Sequence, residues 1–268
     1  MIRWAVVVPF KGAADAKSRL SGSLGDDERA ALALAFLVDT VSAVSRVPAV
    51  SSVIVVSNQP GLAANLAAAS AAAAAAGQAP GHPSVEKRVE MRVIADPGGG
   101  INAAVAAGLA HARAAAPDAY AAAITGDLAA LRPTDLAQAF ALAEAASPSA
   151  QVLNERTGYN LGRRSEPVHS RLAFVPDREG SGTTMVAFAP GANAPTHFGA
   201  GSSAAHTAAG YRPLAVPAES SLRLDIDDAD DLERARLLGL GEATRAVLER
   251  RVRPRSSDPA RRPTSAPG

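Results

Sequence analysis

Two acidic positions far apart in the sequence are the first candidates for chemistry. Asp127 follows an apolar run, and Asp225 belongs to the carboxylate-rich run 222–231. Mg²⁺ binds oxygen ligands, typically one or two carboxylates together with phosphates of the substrate, so this pair would form a metal site if the fold brought it together. Helix capping and the helix dipole offer a competing explanation for four residues of the run: Asp227, Asp228, Asp230 and Asp231. Asp225 precedes them and is less easily explained in this way.

A segment after the first apolar run carries the cations that phosphate chemistry needs. Lys11, Lys17 and Arg19 lie among small residues, where backbone N–H groups and positive charges could surround phosphates. The GxxxxGK[ST] spacing of a P-loop is absent. Cations in an exposed loop are more often simply solvated, so the pattern leaves both interpretations open.

Three glycine-containing segments are further candidates for binding an anion. Segment 96–102 has three consecutive glycines before a helix start, and their entropic cost suggests close approach of a ligand, with a plain turn and cap as the alternative. Segments 180–184 and 198–203 combine glycine with serine or threonine. Their N–H and hydroxyl groups suit an anion that is held by hydrogen bonds.

Composition excludes several other chemistries. The 268-residue chain has no cysteine, which excludes thiol nucleophiles, thiolate zinc sites and iron–sulfur clusters. Its five histidines show no metal-ligand spacing, and no G-x-S-x-G motif indicates a serine triad. No apolar stretch is long enough to span a membrane, and the apolar start is too short for a signal peptide, so we expect a cytoplasmic protein without a membrane partner.

The basic residues concentrate at the C-terminus. The formal net charge is only +1, yet segment 250–268 holds six arginines against one aspartate and almost no apolar residue. This composition predicts a disordered tail at 250–268 after a single folded domain at 1–249. A nucleic-acid-binding arm is the alternative, but no aromatic residue is interleaved to stack on bases, so we expect no nucleic-acid partner.

Alternating strand and helix patterns must position these residues. Predicted strands lie at 4–10, 52–57, 91–95, 120–125, 172–175, 184–188 and 213–216. Predicted helices lie at 27–46, 62–76, 101–115, 134–146 with Thr134 as N-cap, 202–209, and from Asp227 or Asp228 to 238. Segments 77–90 and 147–169 are predicted loops. The alternation predicts a three-layer α/β sandwich with a mostly parallel sheet, in which ligands bind at the carboxyl ends of the strands.

Taken in order, the loop motifs resemble one family, the guanylyltransferases that activate 2-phospho-L-lactate or phosphoenolpyruvate in the biosynthesis of coenzyme F-420. The matching residues are 16–20 (AKSRL), 96–104 (DPGGGINAA), 126–128 (GDL), Phe174 with Asp177 and 180–183 (GSGT), Phe198 and Gly199 with Ser202 and His206, and 222–227 (LRLDID). The likeness runs from about Ala5 to Gly241. One departure is Ala129, where the family usually has proline.

The resemblance implies a fold like that of nucleotide-diphospho-sugar transferases. It also implies a reaction in which a substrate phosphate oxygen attacks the α-phosphorus of GTP and expels pyrophosphate. Two Mg²⁺ ions would be held by Asp127 and Asp225, Lys17 and Arg19 would face the triphosphate, and Thr183, Gly199 and Ser202 would bind the acceptor. The predicted nucleotide contacts are Lys11, Lys17, Asp96, Gly99, Gly100 and Asn102. The alanine- and arginine-rich composition suits the high-GC actinobacterial members of this family, to which the resemblance assigns phosphoenolpyruvate rather than 2-phospho-L-lactate as the acceptor.

Two other functions remain open from the sequence. A related nucleotidyltransferase could use the same fold and metal site with a sugar phosphate or molybdopterin and another nucleotide. A non-catalytic nucleotide-binding or scaffold protein could instead use the arginine-rich tail as its working part. A screen of acceptors for pyrophosphate release separates the three.

Overall fold

A seven-stranded sheet forms the centre of the protein. The computed structural model describes residues 2–12, 25–77, 89–147 and 171–252. The strands are β1 (Trp4–Pro9), β2 (Val50–Val56), β3 (Glu90–Ile94), β4 (Tyr120–Ile124), β5 (Leu172–Pro176), β6 (Thr183–Phe188) and β7 (Arg212–Pro213). Their order is β3-β2-β1-β4-β6-β5-β7, and β6 alone among them runs antiparallel to its neighbours. The mostly parallel sheet predicted from the sequence is confirmed.

Helices cover both faces of this sheet. They are α1 (Asp26–Ser45), α2 (Leu62–Gly77), α3 (Ile101–Ala115), α4 (Pro133–Ala146), α5 (Ser202–Ala208), α6 (Ala229–Leu238) and α7 (Glu242–Val252). Apolar side chains of α1, α2 and α4 share one buried cluster with alternate residues of β1, and those of α3 share a second cluster with the other residues of β1. The result is the predicted three-layer α/β architecture.

Strand β1 is buried on both faces, which explains its continuous apolar sequence. On one face Trp4 stacks on Phe140 of α4 with ring centroids 3.9 Å apart, and its indole Nε1 donates to Glu144 Oε1 at 2.7 Å. On the other face α3 approaches so closely that a Cβ added at Gly108 would lie 2.3 Å from a methyl carbon of Val7. Only glycine permits this contact between α3 and the sheet.

The structure corrects three predictions about local structure. Helix α4 begins at Pro133 with Arg132 as N-cap, so Thr134 lies inside the helix; proline at the first helical position places the N-cap two residues earlier than predicted. The seventh strand is limited to Arg212–Pro213: the Leu214 N–H still donates to Phe174 O at 2.8 Å, but the Val216 N–H then turns back to Leu214 O at 2.8 Å. Helix α7 had no counterpart in the sequence prediction and continues to Val252, into the predicted tail.

Several predicted segments lie outside the described residues. These are most of the loops predicted at 77–90 and 147–169, and the remainder of the tail from 253. Among the helices of the described ranges, none combines the length and apolarity needed to cross a bilayer.

Candidate active site

The carboxyl ends of β1 and β4 mark the point where the sheet changes direction. The chain runs outward from β1 to β2 and β3, and then returns to β4 on the other side of β1. Ligands of open α/β sheets bind at such a switch point. Lys11 follows β1 there and is exposed, while Asp127 follows β4 and is half-buried. Because β6 is antiparallel, its first residue, Thr183, lies at the same edge.

Backbone hydrogen bonds hold Asp127 in place on two sides. The Thr125 N–H donates to Thr184 O at 3.0 Å, which ties the end of β4 to the start of β6. The Leu128 N–H donates to the buried Thr40 hydroxyl of α1 at 3.1 Å. Residue 127 is thus held between β6 and α1.

Asp225 reaches the same place from a distant part of the sequence. It follows a short 3₁₀ turn (Ser221–Arg223), and the Arg223 guanidinium donates to the carbonyl oxygen of Asp177 at the end of β5, with Nε at 3.2 Å and a terminal nitrogen at 2.8 Å. The Ile226 N–H then donates to Asp127 O at 3.2 Å. These contacts join the ends of β4 and β5 to segment 223–227.

The carboxylates of this segment meet Asp127. One carboxylate oxygen from each of Asp127, Asp225 and Asp227 lies within 4.8 Å of the others. Asp225 also forms a second such group with Asp177 and Glu179. An all-oxygen set of this kind suits a hard divalent cation.

Helix capping accounts for only part of the acidic run 222–231. Asp228 is the N-cap of α6, and its carboxylate accepts from the Asp231 N–H at 3.0 Å, which confirms one of the two predicted caps. The backbone hydrogen bond from the Asp231 N–H lowers the pKa of the Asp228 carboxyl. Asp227, which capping also explained from the sequence, instead directs a carboxylate oxygen to the group with Asp127.

Asp177 belongs to the matched family motif, but no role was predicted for it from the sequence. Its side chain is buried, Oδ2 accepts from the Gly182 N–H at 2.6 Å, and Oδ1 has no hydrogen-bond partner among the described residues. A buried carboxylate oxygen without a partner is costly unless a cation balances it. The available signal was its position directly after a strand, with Glu179 two residues later.

The three predicted acceptor contacts lie close together. Thr183 is buried at the start of β6, and its hydroxyl lies 3.1 Å from His206 Nδ1. Ser202 opens α5 one turn before His206, is 2% exposed, and donates its N–H to Gly199 O at 3.1 Å. The Ser203 N–H also donates to Ser181 O at 3.1 Å, so α5 is tied to the β5–β6 turn.

His206, which belongs to the matched family motif, is a second residue for which no role was predicted from the sequence. It is fully buried beside Phe174, Phe198 and Tyr211, and its Nε2 accepts the His197 N–H at 3.0 Å. Burial, together with the neighbouring His197, lowers the pKa of His206 to about 4, against the opposing effect of a hydrogen bond with the Ser202 backbone. The sequence showed only its spacing of four residues from Ser202.

The predicted nucleotide contacts divide into two groups. The Asp96 carboxylate accepts from the Gly98 N–H at 2.8 Å, and the three glycines that follow Pro97 all have positive φ, from 79° to 90°. These glycines lead into α3 at the sheet edge, with Gly100 as its N-cap. Asn102 is used differently: its Oδ1 accepts from the Thr196 hydroxyl at 2.9 Å and from the Phe198 N–H at 2.8 Å, and its Nδ2 donates to Phe198 O at 3.0 Å.

Comparison with known proteins identifies the family. A family model described as guanylyl transferase CofC like matches residues 4–67. Phosphoenolpyruvate guanylyltransferase of Streptomyces coelicolor is 39% identical over 93% of this chain and 97% of its own length. The protein of that name from Salinispora arenicola is 40% identical over 90% of this chain and 91% of its own. The chain belongs to the phosphoenolpyruvate guanylyltransferase family.

The fold of this member of the guanylyltransferase family is also found in solved structures. A candidate nucleotide-diphospho-sugar transferase of Desulfovibrio desulfuricans superposes with a TM-score of 0.58 at 16% identity, covering 93% of this chain and 95% of that one. This likeness shows the fold alone, and it is the fold that the loop motifs implied. Membership of the guanylyltransferase family confirms the resemblance stated from those motifs.

Two of the predicted site residues of the guanylyltransferase lie outside the described residues. They are Lys17 and Arg19, the cations expected to face the triphosphate. Asp127 and Asp225 are brought together, as are Thr183, Gly199 and Ser202. Lys11, Asp96, Gly99 and Gly100 follow strands that end at the same edge of the sheet.

Proposed function

We propose that this chain transfers the guanylyl group of GTP to the phosphate of phosphoenolpyruvate and releases pyrophosphate, in the biosynthesis of coenzyme F-420. The names of the relatives from Streptomyces coelicolor and Salinispora arenicola support this acceptor over 2-phospho-L-lactate. The structural observation that carries the proposal is the meeting of Asp127, Asp225 and Asp227 at the switch point of the sheet.

Charge is the main obstacle to this reaction. The attacking phosphate and the triphosphate are both polyanions, so the site must offset their repulsion and hold them in line. Bound Mg²⁺ would supply that neutralisation and would polarise the phosphoryl oxygens. No general base is needed because the attacking phosphate oxygen is already ionised at neutral pH. Both acidic groups among the described residues consist of carboxylates alone, which fits this requirement.

The carboxylates suit two cations. Asp225 belongs to both acidic groups, with Asp127 and Asp227 in one and with Asp177 and Glu179 in the other. The buried Asp177 Oδ1, which lacks a hydrogen-bond partner among the described residues, supports the second position. We therefore extend the predicted metal ligands from Asp127 and Asp225 to all five residues.

The remaining residues would bind the two substrates. On the nucleotide side, Lys11, Lys17 and Arg19 would face phosphate charge, and the N–H groups of the glycine triplet before α3 would donate to phosphate oxygens. On the acceptor side, the Thr183 hydroxyl, the Ser202 hydroxyl and the backbone at Gly199 would donate to the carboxylate and phosphate of phosphoenolpyruvate. The disorder of the C-terminal tail and the cytoplasmic location of the protein stay predictions.

Pyrophosphate release measures the proposed activity directly. Purified protein with Mg²⁺, GTP and phosphoenolpyruvate is expected to release pyrophosphate, and Asp127→Asn and Asp225→Asn are each expected to lower the rate at least about a hundredfold, because each removes a charged oxygen ligand. Asp228→Ser is the matched control: it changes a carboxylate of the same run but keeps an N-cap oxygen for α6. Its rate should equal that of the unmodified protein.

Other outcomes of the same assay would replace the proposal. Release only with a sugar phosphate or molybdopterin, or with ATP in place of GTP, would favour a related nucleotidyltransferase. GTP binding without turnover for any acceptor would favour a non-catalytic nucleotide-binding protein. Full activity of Asp127→Asn and Asp225→Asn would exclude the proposed cation site.

A further inference from the structure

His206 is buried at the acceptor side of the site and uses both of its ring nitrogens. Nε2 lies 3.0 Å from the backbone nitrogen of His197, and Nδ1 lies 3.1 Å from the Thr183 hydroxyl. The ring is fully buried and is surrounded by aromatic side chains. His206 has no direct part in the transfer of the guanylyl group.

The His197 backbone determines which ring nitrogen carries the proton. A backbone N–H can only donate, so Nε2 must be the unprotonated nitrogen that accepts. The doubly protonated ring would direct an N–H against the N–H of His197, and burial among apolar side chains also disfavours the charged form. The ring is therefore neutral with its proton on Nδ1.

This tautomer determines the role of the Thr183 hydroxyl. Nδ1–H donates to Thr183 Oγ1, so the hydroxyl cannot use its own hydrogen toward the ring. The described residues offer that hydrogen no other acceptor. The Thr183 hydroxyl is thus oriented as a hydrogen-bond donor whose hydrogen remains available to an oxygen atom of a bound ligand.

The surroundings indicate the chemical class of that oxygen. The preceding residue, Gly182, donates its N–H to Asp177, a member of the second acidic group. A donor beside carboxylates that would hold cations is suited to an anionic oxygen of the acceptor substrate, which the cations attract and the hydroxyl orients.

We infer that His206 is a positioning residue, which as the neutral Nδ1–H tautomer holds the Thr183 hydroxyl as a donor to a carboxylate or phosphate oxygen of the acceptor. The inference rests on the proposed function for the identity of the acceptor. It adds the residue that orients the contact with that acceptor.

Steady-state kinetics of paired variants test this role. His206→Leu removes the donor, whereas His206→Asn can place an amide N–H near the position of Nδ1. His206→Leu is expected to raise KM for phosphoenolpyruvate about tenfold or more and to leave KM for GTP within about twofold, with most of the loss recovered in His206→Asn. In a Thr183→Val background, His206→Leu should cause no further rise, because the hydroxyl that it orients is gone. Equal rises in both KM values, or additive effects in the double variant, would overturn the inference.

The tautomer can be measured in the unmodified protein, which guards against variants that fail to fold. A long-range ¹H–¹⁵N correlation spectrum at neutral pH is expected to show His206 protonated at Nδ1 alone. Protonation at Nε2 would overturn the inference. This measurement needs no substrate, so its failure is distinguishable from failure of the proposed function, which is the absence of pyrophosphate release with GTP and phosphoenolpyruvate.

Discussion

At the scale of single residues, the contact between Gly182 and Asp177 gives a direct test of the second acidic group. A Cβ added at Gly182 would lie 2.2 Å from Asp177 Oδ2. We expect Gly182→Ala to displace the Asp177 carboxylate and to raise the Mg²⁺ concentration needed for half-maximal pyrophosphate release. Gly180→Ala is the control in the same turn. At a φ of +77° an alanine is strained by about 1 kcal/mol, but its Cβ would have no other atom within 4 Å. An unchanged Mg²⁺ dependence in Gly182→Ala would remove Asp177 from the site.

His206 makes stability depend on pH in a direction that its burial determines. Its pKa is about 4 in the folded protein against 6.5 for an ordinary histidine, so the unfolded chain binds an additional proton between these values. The contribution of His206 to stability is therefore fully present above pH 6.5 and decreases as the pH falls toward 4, with a slope of up to about 1.4 kcal/mol per pH unit. The titratable groups that face the His206 ring are His197 and Tyr211. Urea titrations from pH 7 to 4.5 should show a shallower dependence for His206→Asn; parallel curves would refute this origin.

At the scale of elements, Asn102 couples the start of α3 to segment 196–198. Its three hydrogen bonds join the helix that follows the glycine triplet to the segment that leads to Gly199. We expect Asn102→Ala to release this segment and to raise KM for phosphoenolpyruvate at least as much as KM for GTP, about tenfold from the loss of these bonds. His111→Ala, on the same helix and far from its first turn, is the matched control. A rise in KM for GTP alone would favour the direct nucleotide contact predicted from the sequence.

At the scale of the whole molecule, Asp39 joins α1 to the C-terminal helix. Its buried carboxylate accepts from the N–H groups of Ala243 and Thr244 in the first turn of α7, at 2.9 and 2.8 Å. Burial raises the pKa of the Asp39 carboxyl, and the hydrogen bonds from this turn together with the charge of Arg245 act against that rise. Gly241 leaves room for the carboxylate, since a Cβ there would lie 2.1 Å from Asp39 Cγ.

Removing this contact should weaken the docking of α7. Asp39→Ala is expected to lower the free energy of unfolding by about 1–2 kcal/mol, the usual cost of losing a helix cap. Asp118→Ala, an exposed acidic residue, serves as the control and should change stability little. Urea denaturation monitored by circular dichroism measures both. Equal stability of Asp39→Ala and the unmodified protein would show that α7 docks by apolar contact alone.

The features that the sequence determined by itself are those encoded by neighbouring residues. Apolar runs and turn residues predicted six of the seven strands and most of the helices to within a few residues, and α3 was predicted with the bounds that the structure shows. The end of a predicted parallel strand placed Asp127 at the carboxyl edge of the sheet, whereas its meeting with Asp225, which follows a 3₁₀ turn, was implied by the resemblance to the family. Strand and helix periodicity are local, so one sequence suffices to find them.

Only the tertiary structure decided which distant atoms meet. The antiparallel direction of β6, the entry of Asp227, Asp177 and Glu179 into the acidic groups, and the contact of His206 with Thr183 depend on pairings across many residues. Asp39 and Thr244, whose carboxylate and N–H meet at 2.8 Å, are 205 residues apart. Such contacts form when the packed core brings elements together and buried polar groups must find partners, and no local pattern of residue types specifies those partners.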